Sequence, residues 1–194
     1  MPDEGGTPKG AGARPSLLQL ARDSIAHGLR HGRALPVTAQ DFPPALRVPR
    51  ATFVTLLEDG ELRGCIGYPL PLKPLGEAVA EMAVAAASED PRFPSVTQDE
   101  LGKLDIEISV LTVPQQVAGP ENVQVGVDGI IVSKGPRRGL LLPQVPVEQG
   151  WDLEQYISYG CRKAGLPPDE WKKGVQIEVF QAIVFGEKEH QEGA

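Results

Sequence analysis

Residues 51–68 read ATFVTLLEDGELRGCIGY. Two β-prone runs flank Asp59-Gly60, a dipeptide suited to the left-handed positions of a two-residue hairpin turn. The stretch therefore predicts an antiparallel hairpin. Its second half is unusual for a strand, because Gly64 and Gly67 bracket Cys65. Glycine weakens a strand unless a backbone or a ligand must approach closely. Residues two apart in a strand share a face, so Arg63, Cys65 and Gly67 point one way and Leu62, Gly64 and Ile66 the other. Leu62 and Ile66 suit the core, which puts Arg63 and Cys65 on the opposite face. An adjacent arginine favours the thiolate, the nucleophilic and metal-binding form of cysteine.

Working outward, Ser16 with Gln19 has the pattern of a capping box, and Leu17, Leu20, Ala21, Ser24, Ile25 and Leu29 recur at helical spacing. A helix is expected over residues 16–31, followed by a proline-rich loop from Arg33 to Pro49. After the hairpin, PLPLKP is a loop and residues 75–88, LGEAVAEMAVAAAS, form an alanine-rich helix that allows close packing. It stops before Asp90-Pro91, since the residue preceding a proline is pushed out of helical geometry. Thr97 with Glu100 suggests a capped turn. LDIEISVLTV alternates, with Ile106, Ile108 and Val110 on one face and Asp105, Glu107 and Ser109 on the other. GIIVSKGPRRGLLLPQV reads as a second hairpin with a basic turn. Asp152 with Gln155 caps a helix that Gly165 ends, and VQIEVFQAIVFGE reads as one long final strand. Strands and helices mix without regular alternation, so the fold class is α+β with largely antiparallel sheets.

The chain has 194 residues and a net charge of −7. That length supports a substantial core, and the acidic balance disfavours nucleic acid as a partner. Residues 1–14, with glycine, proline and charge but no large apolar residue after Met1, are expected to be a disordered tail, and 188–194 a second tail. There is no signal-peptide pattern and no apolar run long enough for a membrane span. Two distant cysteines, Cys65 and Cys161, suit free thiols. Together these point to a cytoplasmic protein. No GxGxxG, P-loop, CxxC or HExxH pattern is present, so no cofactor and no metal site are expected.

The segments LRGCIGY, EDPRFPSV, LDIEISVLT, GLLLPQV and GWDLEQYISYGCRKAGLP, in that order, resemble the AMMECR domain family over about residues 16–187. The resemblance implies two unequal α+β lobes facing across a cleft. It implies no known reaction. Bacterial members are often encoded beside a Memo-type protein and a radical SAM enzyme, the AmmeMemoRadiSam arrangement, so those are the expected partners. Proposed roles for the family lie in RNA or other modification chemistry. The family hexapeptide maps onto Leu62, Arg63, Gly64, Cys65, Ile66 and Gly67, and Tyr68 stands where many members carry a small residue.

The candidate reacting groups are Cys65, Arg63 and Glu107, with Gly64, Gly67 and Ser109 beside them. Each has a plain alternative. Free cysteine is among the most buried residue types, and the polar face of LDIEISVLT is also what a solvated sheet face looks like. Asp90, Arg92 and Phe93 are candidate binding residues, although Asp90 can equally cap a turn and pair with Arg92. Gln144 and Trp151 flank a loop before the capped helix. Cys161 falls on the stripe of Leu153, Tyr156, Ile157, Gly160 and Ala164, which is a core face. His27 and His31 are four apart on a helix, without a third ligand in sight, and the basic turn at Lys134–Arg138 suits solvent. The two function classes left open are an enzyme or enzyme component using Cys65, and a binding or adaptor module in which the glycines serve packing.

Overall fold

The structure, a computed structural model, describes residues 13–188. The chain divides into two compact units, Leu111–Ala182 and the described residues on either side of it. The crossings fall at the end of one strand and the start of another.

In the first unit the strands are β1 (Thr52–Glu58), β2 (Glu61–Tyr68), β3 (Leu104–Leu111) and β8 (Ala182–Gly186), ordered β2-β1-β3-β8. The Asp59-Gly60 turn forms as the sequence predicts, with φ of 52° and 84°. Two long helices, α1 (Ala13–His31) and α3 (Leu75–Ser88), and one short one, α2 (Pro44–Arg47), complete the unit. Leu17, Ile25, Val79 and Ala83 from the helices join Val54, Leu56, Ile106, Ile108 and Phe185 from the sheet in one core. Ser24 is buried, and its hydroxyl donates to the Ala80 carbonyl at 2.6 Å, tying α1 to α3.

The second unit is smaller. β4 (Gln115–Val117), β5 (Gly129–Lys134), β6 (Arg137–Leu141) and β7 (Gln176–Phe180) form an antiparallel sheet ordered β4-β7-β5-β6. A short helix α4 (Gln144–Gln149) precedes α5 (Leu153–Lys163). Asp152 and Gln155 form the expected capping box on α5, and Gly165 has φ 71° just past its end. Val123, Ile130, Val132, Tyr156, Ile157, Cys161 and Ile177 are its core.

Three expectations need correction, and one further strand was not expected. α1 starts at Ala13 rather than at residue 16, so Ser16 lies inside the helix and is no cap. Pro15 is compatible with this because the first helical turn has no partner for its missing N–H. The rest of the expected tails, 1–12 and 189–194, lies outside the described residues. The final strand is two strands, β7 and β8, which belong to different sheets. The break is Gln181, whose N–H donates to the Thr112 hydroxyl while the Thr112 N–H donates to the Gln181 carbonyl, each at 2.8 Å. Those bonds replace ladder pairing there. β4 has no apolar alternation and was not legible as a strand. Gln144 begins the helix α4 rather than flanking a loop.

Candidate functional site

The first sheet buries one face under the helices, and its other face carries four of the candidates, Cys65, Gly67, Glu107 and Ser109. β1 pairs with both β2 and β3, and its register decides which residues meet. Thr55 lies opposite Cys65 on one side and Glu107 on the other, while Phe53 lies between Gly67 and Ser109. Strands lie about 4.8 Å apart, so a thiol, a hydroxyl and a carboxylate line up over a span of about 10 Å. All three side chains are half-buried. The Thr55 hydroxyl donates to Cys65 Sγ at 3.3 Å.

β2 is an edge strand, and its free backbone at Cys65 is claimed by Asp90. The Cys65 N–H donates to Asp90 Oδ2 at 2.9 Å. Arg92 grips the same carboxylate with both arms of a fork, Nε to Oδ1 at 3.0 Å and Nη2 to Oδ2 at 2.7 Å, and its own N–H adds a bond at 3.1 Å. Asp90 is 5% exposed. The Arg92 fork and the two backbone N–H groups hold its carboxyl far below the usual carboxylate range, against the cost of burial. The clamp therefore blunts a sheet edge with a buried but fully paired charge. Phe93 is half-buried beneath it, with the Arg92 guanidinium 5.4 Å from its ring centre.

Arg63 has a different role from the one its spacing suggests. Leu57 pairs with Leu62 and Leu56 with Gly64, which leaves Arg63 as the extra residue of a β-bulge. The bulge breaks strict alternation. Leu62 is consequently 39% exposed rather than in the core. The Arg63 guanidinium donates to Glu100 Oε1 at 2.9 Å and to the Pro94 carbonyl at 2.8 Å. Arg63 and the Thr97 turn together draw the Glu100 carboxyl down to about 2. Arg92 is linked to Cys65 through Asp90 Oδ2, which accepts from both the Cys65 N–H and Arg92 Nη2.

Both glycines of the motif are filled by the protein itself. A Cβ on Gly64 would lie 2.1 Å from the Ala86 carbonyl oxygen of α3, the close approach that the alanine-rich helix invites. A Cβ on Gly67 would lie 2.3 Å from the Phe53 ring and 2.4 Å from the Thr52 carbonyl. Tyr68 donates its hydroxyl to Glu81 Oε2 at 2.8 Å.

Gln144, Trp151, Cys161 and the basic turn belong to the second unit, and His27 and His31 to α1 of the first. Gln144 is exposed at the start of α4. Trp151 stacks on Tyr159, ring centres 3.9 Å apart, and packs against that unit's core. Cys161 is fully buried and burial pushes its thiol up. In the basic turn Lys134 pairs with Glu170 and Arg138 with Glu178. His27 and His31 face each other at 4.3 Å between ring centres. No group of three or more metal-ligating side chains occurs among the described residues.

Sequence reasoning missed Thr55 and Glu100. An unbulged hairpin closed by Asp59-Gly60 would set Thr55 opposite Gly64, and only the bulge brings it to Cys65. Glu100 was read as a cap for Thr97, which it is. Its second bond, to Arg63, crosses from one segment to another and left no local signal.

The AMMECR1 family model matches residues 18–185. The chain belongs to the AMMECR1 family. A protein of Methanopyrus kandleri is 48% identical over 185 residues, spanning 89% of this chain and 87% of that one. A protein of Methanocaldococcus jannaschii is 48% identical over 190 residues, spanning 89% and 94%. The crystal structure of an uncharacterized protein from Pyrococcus horikoshii matches with a TM-score of 0.72 and 44% identity, over 89% of this chain and 90% of that one. The α+β fold and the family resemblance thus agree with the AMMECR1 match over residues 18–185. Among the described residues no helix is long and apolar enough to cross a membrane.

Proposed function

We propose that this AMMECR1 protein is a cytosolic enzyme component whose reacting group is the Cys65 thiol. The aligned row of Cys65, Thr55 and Glu107 on the outer face of the first sheet carries this reading. Thr55 donates a hydrogen bond to the sulfur. Glu107 sits within reach of the far end of a small molecule bound along the row, where a carboxylate can move a proton or hold a cationic group. Among the described residues no histidine bonds to Cys65, so the thiol works with the other groups of the row and with partner proteins. A Memo-type protein and a radical SAM enzyme fit that dependence, and modification of a small molecule or of a modified residue is the reaction class.

The adaptor reading has its own supporting observation. Gly64 and Gly67 are both occupied by the protein's own atoms, Ala86 and Phe53, so packing alone accounts for the glycines of RGCIG. The two readings separate in a deletion strain profiled for untargeted metabolites. An enzyme component predicts that Cys65→Ser accumulates the same compound as the deletion. A Cys65→Ser strain with the wild-type profile would support the adaptor instead.

A further inference from the structure

We infer that Arg92 is the specificity residue of this face and selects a small molecule bearing a carboxylate. The inference rests on the reading of Cys65 as the reacting group. Asp90 Oδ2 accepts from the Cys65 N–H and from Arg92 Nη2, so the guanidinium stands two hydrogen bonds from the cysteine backbone. Asp90 takes the Nε–Nη2 edge. Among the described residues Nη1 makes no hydrogen bond, and the side chain is 55% exposed. Phe93 supports the guanidinium from one side. The pair is thus asymmetric: a buried acid, 2% exposed at its side chain, fixes an exposed base.

An arginine used only to satisfy Asp90 needs one edge. This one offers its other edge to solvent, two hydrogen bonds from the Cys65 backbone, in a planar donor geometry that suits carboxylates. Arg63, the other arginine of the region, has Nε on Glu100 and Nη1 on Pro94 and is largely buried. Of the two, Arg92 is the one placed to receive an anion. Glu107 lies two strands from Cys65, at the opposite end of the row, so the anionic group belongs at the Arg92 end.

The test uses two alkylating probes of nearly equal size, iodoacetate and iodoacetamide, on the intact protein. Both form an S–C bond with the thiolate and release iodide, and they differ in one charge. The adduct at Cys65 is quantified in its peptide, so Cys161 does not interfere. The expected result is that Arg92→Gln lowers the iodoacetate-to-iodoacetamide rate ratio at Cys65 by roughly fivefold, the scale of a partly exposed ion pair. Arg92→Lys should retain most of the ratio, and salt should lower it in the wild type. A ratio that neither Arg92→Gln nor salt changes overturns the inference while leaving Cys65 as the reacting group. A native Cys65 that neither reagent labels removes the underlying reading and the inference together.

Discussion

Both cysteines follow a glycine, and the two Gly-Cys pairs end in opposite environments. Gly64 brings β2 against the α3 backbone at Ala86, and Gly160 brings α5 against Ile130 and Val132 of β5. In each unit the glycine marks where a strand and a helix come close. The next residue then obeys the period of its element. A strand turns its neighbour to the other face, so Cys65 leaves the core for the outer face. A helix turns its neighbour by about 100°, which keeps Cys161 on the apolar stripe. Cys65 accepts from a hydroxyl and its N–H shares Asp90 with a guanidinium, whereas Cys161 belongs to one core with Tyr156, Ile157 and Val132. One dipeptide thus yields a half-buried thiol on an outer sheet face in one unit and a buried thiol in the other.

The sharpest way to break the comparison is to fill both glycines. Gly64→Ala should cost roughly 3 kcal/mol or more, because its Cβ meets a backbone oxygen that cannot step aside. The Cβ of Gly160→Ala has side-chain atoms of Val132 and Ile130 as its nearest neighbours, and alanine's better helix propensity returns up to about 1 kcal/mol. Denaturant melts of the two variants measure the difference, and equal losses would contradict the distinction.

Next in size is the clamp at the β2 edge. Asp90→Asn loses charge-assisted bonds to Arg92 and weakens the hold on the Cys65 N–H, at a cost of about 2–3 kcal/mol. The pH dependence has a definite sign. Asp90 and Glu100 are both depressed in the folded state, so their stabilisation is complete above the ordinary carboxylate range. It is lost as pH falls, for Glu100 between its ordinary 4.5 and about 2. Melting temperature should fall over that acid window, and less steeply in Asp90→Asn and Glu100→Gln. Identical acid limbs in wild type and variants would argue against the two carboxylates.

Smaller effects separate the thiols themselves. Cys161→Ser places a hydroxyl in an apolar site and should cost about 1–3 kcal/mol. Cys65→Ser should change stability by less than about 0.5 kcal/mol, as expected away from the core. Smallest of all in stability is Thr55→Val, which should slow alkylation of Cys65 by removing its hydroxyl donor. Unchanged alkylation would exclude Thr55 from activating the sulfur.

Much of this arrangement was legible in the sequence because it depends on local rules. Asp59-Gly60 set the hairpin, Asp90-Pro91 set the end of α3, and the alternation of Ile106, Ile108 and Val110 set the buried face of β3. The place of Gly64 against the alanine-rich helix followed from small residues on both sides. What escaped depends on partners remote in sequence. The bulge at Arg63 moves Leu62 to the surface and aligns Thr55 with Cys65, yet no residue of the strand announces it. The division of the last strand at Gln181 arises from its exchange of hydrogen bonds with Thr112. Asp90 could be read as a cap, and only the fold brings it to a strand edge 25 residues away.

The central claim is that the outer-face thiol works and the buried one packs. It is tested most directly by complementing a deletion strain with Cys65→Ser and Cys161→Ser while measuring the melting temperature of each purified variant. The account predicts that Cys65→Ser keeps its melting temperature and fails to complement, while Cys161→Ser melts lower and complements where it stays folded. Full complementation by Cys65→Ser would contradict it.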